Sequence, residues 1–207
     1  MANIIFDFDG TIADSFDYVF SFLRQEARKP ASFGKDEEAA YRNMSMKDMA
    51  FKLEIPFWRL PYVYFKGRRV MRGHMEHILP FAGMPDVIQD LHEHGHTLSI
   101  VSSNSARNIR RFLRQHGLDE YFSSVRGGTG LLGKATPIKQ LCAHYKVRPE
   151  DSWFVGDEVT DIASATTAHA KSVAVTWGFA SKQELMNYKP TVLIEKPAEL
   201  SELFKTS

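Results

Sequence analysis

Residues 3 to 11 constrain the fold of this chain more than any other stretch. Ile4, Ile5 and Phe6 make a short apolar, β-prone run, the pattern of a strand buried on both faces of a parallel sheet. The run leads straight into Asp7-Phe8-Asp9-Gly10-Thr11. Because strand side chains alternate, Asp7 and Asp9 project to one side and Phe6 and Phe8 to the other. Two carboxylates held that close repel each other unless a cation lies between them or one is protonated. Gly10 allows a turn that a side chain would obstruct, and Thr11 sets a hydroxyl beside it. The spacing points to a functional site at the carboxyl end of a strand. Two other readings share it: a solvated strand end, and the metal-holding Asp-x-Asp of nucleotide-sugar transferases. The remainder of the chain decides between them.

After Asp14 the strand character disappears. Phe16, Val19, Phe20 and Leu23 recur at helical spacing, and residues 41–53 and 62–75 are further predicted helices, with Pro30, Pro56 and Pro61 breaking them apart. Residues 15–79 read as a small helical module, too short to be comfortable alone. From Pro80 onward helices and strands alternate. Predicted helices cover 85–94, 106–115, 134–145 and 162–168, and predicted strands lie at 98–101, 124–126, 153–155, 173–175 and 192–194. That alternation implies right-handed crossovers and a doubly wound parallel α/β sheet covered on both faces. Its expected core domain is 1–14 with 80–207, and 15–79 is inserted as a helical domain. Sheets of this kind bind ligands beyond the carboxyl ends of their strands. The polar clusters fall at such ends: Asp7 and Asp9, then Ser102 with Ser103, then Asp157 and Asp161, while Lys134 opens a helix at the same rim.

Composition narrows the function classes. A chain of 207 residues suits one domain of ordinary size with an insertion. Its formal charge of +1 produces no overall field directed at nucleic acid or a membrane surface. No apolar run approaches the ~20 residues that span a bilayer, and the amino terminus carries aspartates where an export signal needs an apolar core and a basic flank. Cys142 is the single cysteine, which excludes an internal disulfide and a cysteine-built zinc site. The expectation is a cytoplasmic protein acting on a small molecule, with neither nucleic acid nor membrane as partner.

These residues together resemble the haloacid dehalogenase-like superfamily, in its phosphatase branch with a helical cap inserted after the first strand. Asp7-Phe-Asp-Gly-Thr11 looks like the first motif of that family, Ser102 the second, Lys134 the third and Gly156-Asp157-x-x-x-Asp161 the fourth, in the family's order and over about 155 residues. The resemblance implies a fold, a Rossmann-like core with a cap, and an activity: hydrolysis of a small phosphorylated metabolite, as in phosphoglycolate phosphatases. It also implies roles. Asp7 would be the nucleophile that forms an aspartyl-phosphate, and Asp9 the acid and then the base. Mg²⁺ would be held by the Asp7 carboxylate, the Asp9 backbone carbonyl and Asp157, with Asp161 orienting them. Lys134, the hydroxyls of Ser102 and Thr11 and the Ser103 backbone N–H would hold the phosphate.

The chain departs from the family pattern in places. Ala135 follows Lys134 where many relatives have proline, residues 127–133 are glycine-rich, and Glu158 directly follows Asp157, which leaves open which of the two carboxylates meets the metal. Asp9 argues against dehalogenation, because the dehalogenating branch lacks the second aspartate. A phosphomutase of the β-phosphoglucomutase type shares all four motifs. A phospho-receiver domain would place its acidic pair on an earlier strand than the phosphorylated aspartate and would carry no cap. For the cap, Arg42, Asn43, Ser45 and Lys47 are candidate substrate contacts or a solvated loop, and Lys66, Arg68, Arg69 and Arg72 read as a solvated helix face. His92, His94 and His96 alternate as a metal site does but straddle a helix end at Gly95, so a surface position is expected.

Overall fold

In a computed structural model of the chain, residues 1–27, 41, 44, 46–129 and 133–205 are described, with the backbone alone at Met46, Lys47, Tyr64 and Arg68. The strands are β1 (Asn3–Phe6), β2 (Ala13–Asp14), β3 (Leu79–Pro80), β4 (Thr97–Ser102), β5 (Phe122–Gly127), β6 (Ser152–Gly156), β7 (Lys171–Val175) and β8 (Val192–Ile194). The helices are α1 (Phe16–Glu26), α2 (Met46–Lys52), α3 (Leu60–His74), α4 (Met84–Glu93), α5 (Ala106–Gln115), α6 (Ala135–Tyr145), α7 (Val159–Ala168), α8 (Lys182–Asn187) and α9 (Ala198–Lys205). None among the described residues is long and apolar enough to cross a membrane.

An apolar strand without alternation must be covered on both faces, and β1 is. All its residues are buried, and it pairs in parallel with β4 on one edge and β6 on the other, Ile5 lying between Ser99 and Phe154. The main sheet runs β5-β4-β1-β6-β7-β8, every neighbour parallel. The chain winds outward from β1 to β4 and β5, then returns across β1 to build β6, β7 and β8. The order therefore reverses at β1, and an open parallel sheet leaves a crevice where it reverses. Asp7 is the next residue.

Aromatic packing fixes the layer beneath that crevice. Phe8, Phe112 of α5, Phe6 and Phe122 are buried, with Phe8 edge-on to Phe112 at 5.0 Å and Phe6 edge-on to Phe122 at 6.2 Å. α5 is started by Ser105, whose hydroxyl accepts the Asn108 N–H at 3.1 Å, and it turns Ile109, Phe112 and Leu113 inward.

Between Asp14 and Leu79 the described residues hold helices and no strand. β2 and β3 pair antiparallel, Ala13 with Pro80 and Asp14 with Leu79, so the chain leaves and re-enters the sheet layer at one place. α3 buries Val63, Gly67 and Met71, a four-residue spacing that continues to the buried Met75 just past its end, and Gly67 lies against the Phe22 ring of α1. The carboxylate of Glu26, at the end of α1, pairs with Arg59 at 2.9 Å and with Lys66. The far end of α3 is tied to α5: Arg111 donates to the Arg72 carbonyl at 3.2 Å and to Glu76 at 2.9 Å, and Gln115 donates to the Glu76 carbonyl at 2.8 Å. One apolar core runs from Phe6 and Phe112 through Phe16 and Phe20 to Met49 and Met71.

Several expectations change. Pro61, expected to break helices apart, sits in the first turn of α3, where a missing N–H costs nothing. Lys134 precedes α6 instead of lying within it. His92 and His94 are exposed, but His96 is buried, its Nδ1 accepting the Ala2 N–H at 2.9 Å, because the strand that follows Gly95 draws it under the sheet. Arg42, Asn43 and Ser45 lie outside the described residues, as do the side chains of Lys47 and Arg68. Replacing Phe112 by Ala should cost about 3–5 kcal/mol of unfolding free energy, because it removes a buried ring from under Phe8. Denaturant melts check this, and a loss under about 1 kcal/mol would show that the layer closes over the gap.

Candidate active site

The crevice is built from loops that leave β1, β4 and β6, and from the residue that opens α6. After β1 the backbone stays with its neighbour for one more step, the Asp7 N–H donating to the Val155 carbonyl at 2.8 Å. It then coils, with the N–H groups of Ile12 and Ala13 donating to the Phe8 carbonyl at 2.9 and 3.0 Å. Gly10 turns this loop at φ 80°, and a Cβ there would strike the Asp157 carboxylate and the Phe179 ring. The backbone of the first loop thus lies directly against the carboxylate of the third.

Asp7, Asp157 and Asp161 are buried, and one oxygen of each lies within 4.8 Å of the others. Lys134, also buried, places its Nζ 2.6 Å from Asp161 Oδ1 and 2.8 Å from Asp7 Oδ1. The Asp161 contact is an aligned hydrogen bond and the Asp7 contact is an ion pair off that alignment, so Asp7 Oδ1 has no hydrogen-bond donor of its own. Asp161 Oδ2 accepts the Glu158 N–H at 3.0 Å, which holds it at the start of α7. Asp157 accepts the Thr11 hydroxyl at 2.7 Å on Oδ1 and the Phe179 N–H at 2.8 Å on Oδ2. Glu158 is half-buried and outside the cluster of three.

Asp9 is half-buried, and its Oδ2 accepts the Asn104 amide at 2.9 Å. Ser102 ends β4, fully buried, and its hydroxyl accepts the Asn104 N–H at 3.2 Å. Asn104, which sequence reasoning missed, therefore links Asp9 to the β4 loop. Its carbonyl oxygen takes the Ser105 N–H at 2.8 Å and the Asn108 amide at 3.0 Å. The one available signal was an amide in a polar run just after a strand. The loop brings Ser103 to the same rim, half-buried.

Two carboxylates, Asp7 and Asp161, therefore flank the Lys134 ammonium, with Asp157 in the same cluster and Asp9 two residues on from Asp7. Burial pushes Asp7 up to about 7 from an ordinary 3.8, with Lys134 pulling it down and Asp161 and Asp9 pushing it further up. Asp157 is raised well above its ordinary value by burial first and by Asp161 and Asp7 next. Asp9 is raised by burial, against the Asn104 hydrogen bond. Burial alone would lower Lys134, but Asp161 and Asp7 together raise it, so it stays an ammonium. Oxygen-only donors from three buried carboxylates within 4.8 Å of one another, Asp7 Oδ1 among them without an aligned hydrogen bond, fit a hard divalent cation.

A cleft of about 210 Å³ opens beside Gly10, bounded by Asp14, Phe16, Phe81, Trp177 and Phe179. A larger groove of about 620 Å³ between α4 and α9 lies away from the carboxylates, whereas the smaller cleft borders them through Gly10 and Gly178, whose backbones lie against Asp157.

A family model described as haloacid dehalogenase-like hydrolase matches residues 4–175. The chain belongs to this family. The phosphoglycolate phosphatase of Synechococcus elongatus is 33% identical over 205 residues, covering 97% of this chain and 95% of its own. The pyrophosphatase PpaX of Anoxybacillus flavithermus is 26% identical over 204 residues, covering 96% and 94%. A solved haloacid dehalogenase-like family hydrolase from Streptococcus pneumoniae superposes with a TM-score of 0.80 at 20% identity, covering 99% of this chain and 98% of that one. The likeness in structure carries the fold, and membership of this hydrolase family makes the protein an enzyme.

A carboxyl whose pKa is higher folded than unfolded favours the fold only while protonated, so its contribution is lost as pH rises from 3.8 through about 7. With a chelator present, the protein should therefore melt at a lower temperature at pH 8 than at pH 6. Asp7→Asn should shrink that difference. Equal melting temperatures at the two pH values would show that Asp7 is not held protonated by its surroundings.

Proposed function

We propose that the protein is a Mg²⁺-dependent phosphatase of a small phosphorylated metabolite, phosphoglycolate or a similar monoester, working through an aspartyl-phosphate on Asp7. The observation that carries the reading is one turn holding two carboxylates, Asp7 and Asp9, with the Lys134 ammonium 2.8 Å from the first. Family membership and the phosphatase relatives support it. Asp7 attacks phosphorus, the bond to the leaving oxygen breaks, and Asp9 gives that oxygen its proton. Asp9, now a carboxylate, takes a proton from the water that attacks the aspartyl-phosphate, which frees phosphate and restores Asp7. Burial raises Asp9, which suits a group that must hold a proton in the first step.

Lys134 has three N–H donors, of which one is given to Asp161 while the charge pairs with Asp7, so it retains capacity for a phosphate oxygen. The Ser102 hydroxyl and Ser103 N–H lie on the rim for the others. Mg²⁺, held by Asp7, Asp157 and the Asp9 carbonyl, would supply charge neutralisation between nucleophile and phosphate. Thr11 acts through Asp157, to which its hydroxyl is committed. In this reading residues 15–79 are a cap over the cleft and 1–14 with 80–207 the core. The pairing of β2 with β3 supports it by bringing both connections to the cleft's edge. The cytoplasm is its proposed location.

Asp7→Asn should abolish turnover with the fold intact, because an amide cannot attack phosphorus. Asp9→Asn should lose roughly 10²–10⁴-fold and keep a measurable remnant. Retention of a tenth of wild-type activity by Asp7→Asn, a barrier rise of only ~1.4 kcal/mol, would rule out the covalent route. A screen of phosphate monoesters and pyrophosphate with Mg²⁺ tests the substrate class. Phosphoryl transfer to a sugar hydroxyl instead of release of phosphate would mark a mutase.

A further inference from the structure

The cluster is also held from a loop that carries no charged group, Thr176-Trp177-Gly178-Phe179-Ala180 after β7. Trp177 donates its indole N–H to the Thr11 carbonyl at 3.1 Å. Thr11 donates its hydroxyl to Asp157 Oδ1 at 2.7 Å, and Asp157 Oδ2 takes the Phe179 N–H at 2.8 Å, two residues on from Trp177. The Ala180 N–H adds a bond to the Asp157 carbonyl at 3.3 Å. These bonds close a ring through the loops that leave β1, β6 and β7. The ring has no slack at Gly178, where a Cβ would overlap the Asp157 carboxylate.

The same loop touches both connections to the helical segment. The Trp177 ring meets Phe81 at 6.5 Å, and the Phe81 N–H donates to the Ile12 carbonyl at 3.0 Å. The Phe179 ring lies 5.7 Å from Phe16, the first residue of α1. We infer that Trp177 is a positioning residue: by pinning the Thr11 peptide it keeps the Thr11 hydroxyl on Asp157, and so keeps that carboxylate turned toward Asp7 and Asp161 for the cation. The ring bonds also tie the seating of Asp157 to the two connections of residues 15–79. This rests on the proposed role of Asp157 in holding Mg²⁺.

Trp177→Phe removes the N–H and keeps an aromatic ring beside Phe81. Mg²⁺ binding is read twice, by the metal-dependent rise in melting temperature of substrate-free protein and by the Mg²⁺ concentration that half-saturates activity. Both should weaken roughly 2- to 10-fold, the range of one net hydrogen bond. Raising Mg²⁺ should relieve the loss of activity, a rescue that a merely structural loss would not show. Thr11→Val should weaken Mg²⁺ in the same way, and the double variant should be no worse than the weaker single one, because both act through one bond to Asp157. Unchanged Mg²⁺ affinity in Trp177→Phe, or additive losses in the double variant, would overturn the inference while the phosphatase reading stands. A wild-type protein whose melting ignores Mg²⁺ would overturn the metal reading and this inference with it.

Discussion

Three buried carboxylates cluster beside one buried ammonium, and much of the surrounding structure answers that imbalance. Taking charges out of water costs several kcal/mol each unless partners replace the lost hydration. Here the partners come from separate places in the chain: Lys134 before α6, the Glu158 N–H at the start of α7, the Thr11 hydroxyl after β1 and the Phe179 N–H after β7. Even so, Asp7 Oδ1 has only the Lys134 ion pair and no aligned hydrogen bond. A stability-driven packing would have spread these groups apart. Their confinement, with backbone at Gly10 and Gly178 pressed against Asp157, keeps a concentrated negative field where the proposed cation would sit.

The position of that field follows from β1. A strand paired on both edges at the point where strand order reverses can send its next residues only into the crevice above the sheet. This part was legible in the sequence, because Ile4 to Phe6 lack alternation and Asp7 and Asp9 follow at once. Ser102, Asp157 and Asp161 were legible for the same reason, each following a short β-prone run. Asn104 and Trp177 were not. Their contributions are hydrogen bonds to groups about 95 and 166 residues away, which no local pattern encodes. The two-residue strands β2 and β3 are too short for periodicity to register. The helix α8 went unread, although Ser181 and Glu184 have the spacing of the reciprocal cap that the structure shows.

The two passages between the sheet and the helical segment are restrained differently. The first is bound through Thr11 to Asp157 and Trp177, within the site itself. The second is bound to α5 through Arg111, Gln115 and His116, the last 3.1 Å from the Ile78 carbonyl. These are mostly contacts to carbonyls near the end of α3, where a helix leaves acceptors unpaired and favours cations. A displacement of α1 would pull directly on a ligand-bearing loop, whereas a displacement of α3 would first have to free a core helix. Any motion of the proposed cap is thus sensed unequally by the chemistry beneath it.

The place of β1 at the centre of the sheet also sets a timetable for synthesis. The strand is made before both of its partners, and the bond that joins Asn3 to Ser152 spans 149 residues. Until β6 emerges, Ile4, Ile5 and Phe6 have one open edge and an incomplete cover, the condition in which nascent chains aggregate or engage chaperones. The carboxylate cluster cannot form earlier either, because Asp157 and Asp161 follow β6. A ribosome-bound chain therefore carries the proposed nucleophile from its first residues yet has no assembled carboxylate cluster until the sheet closes on both sides of it.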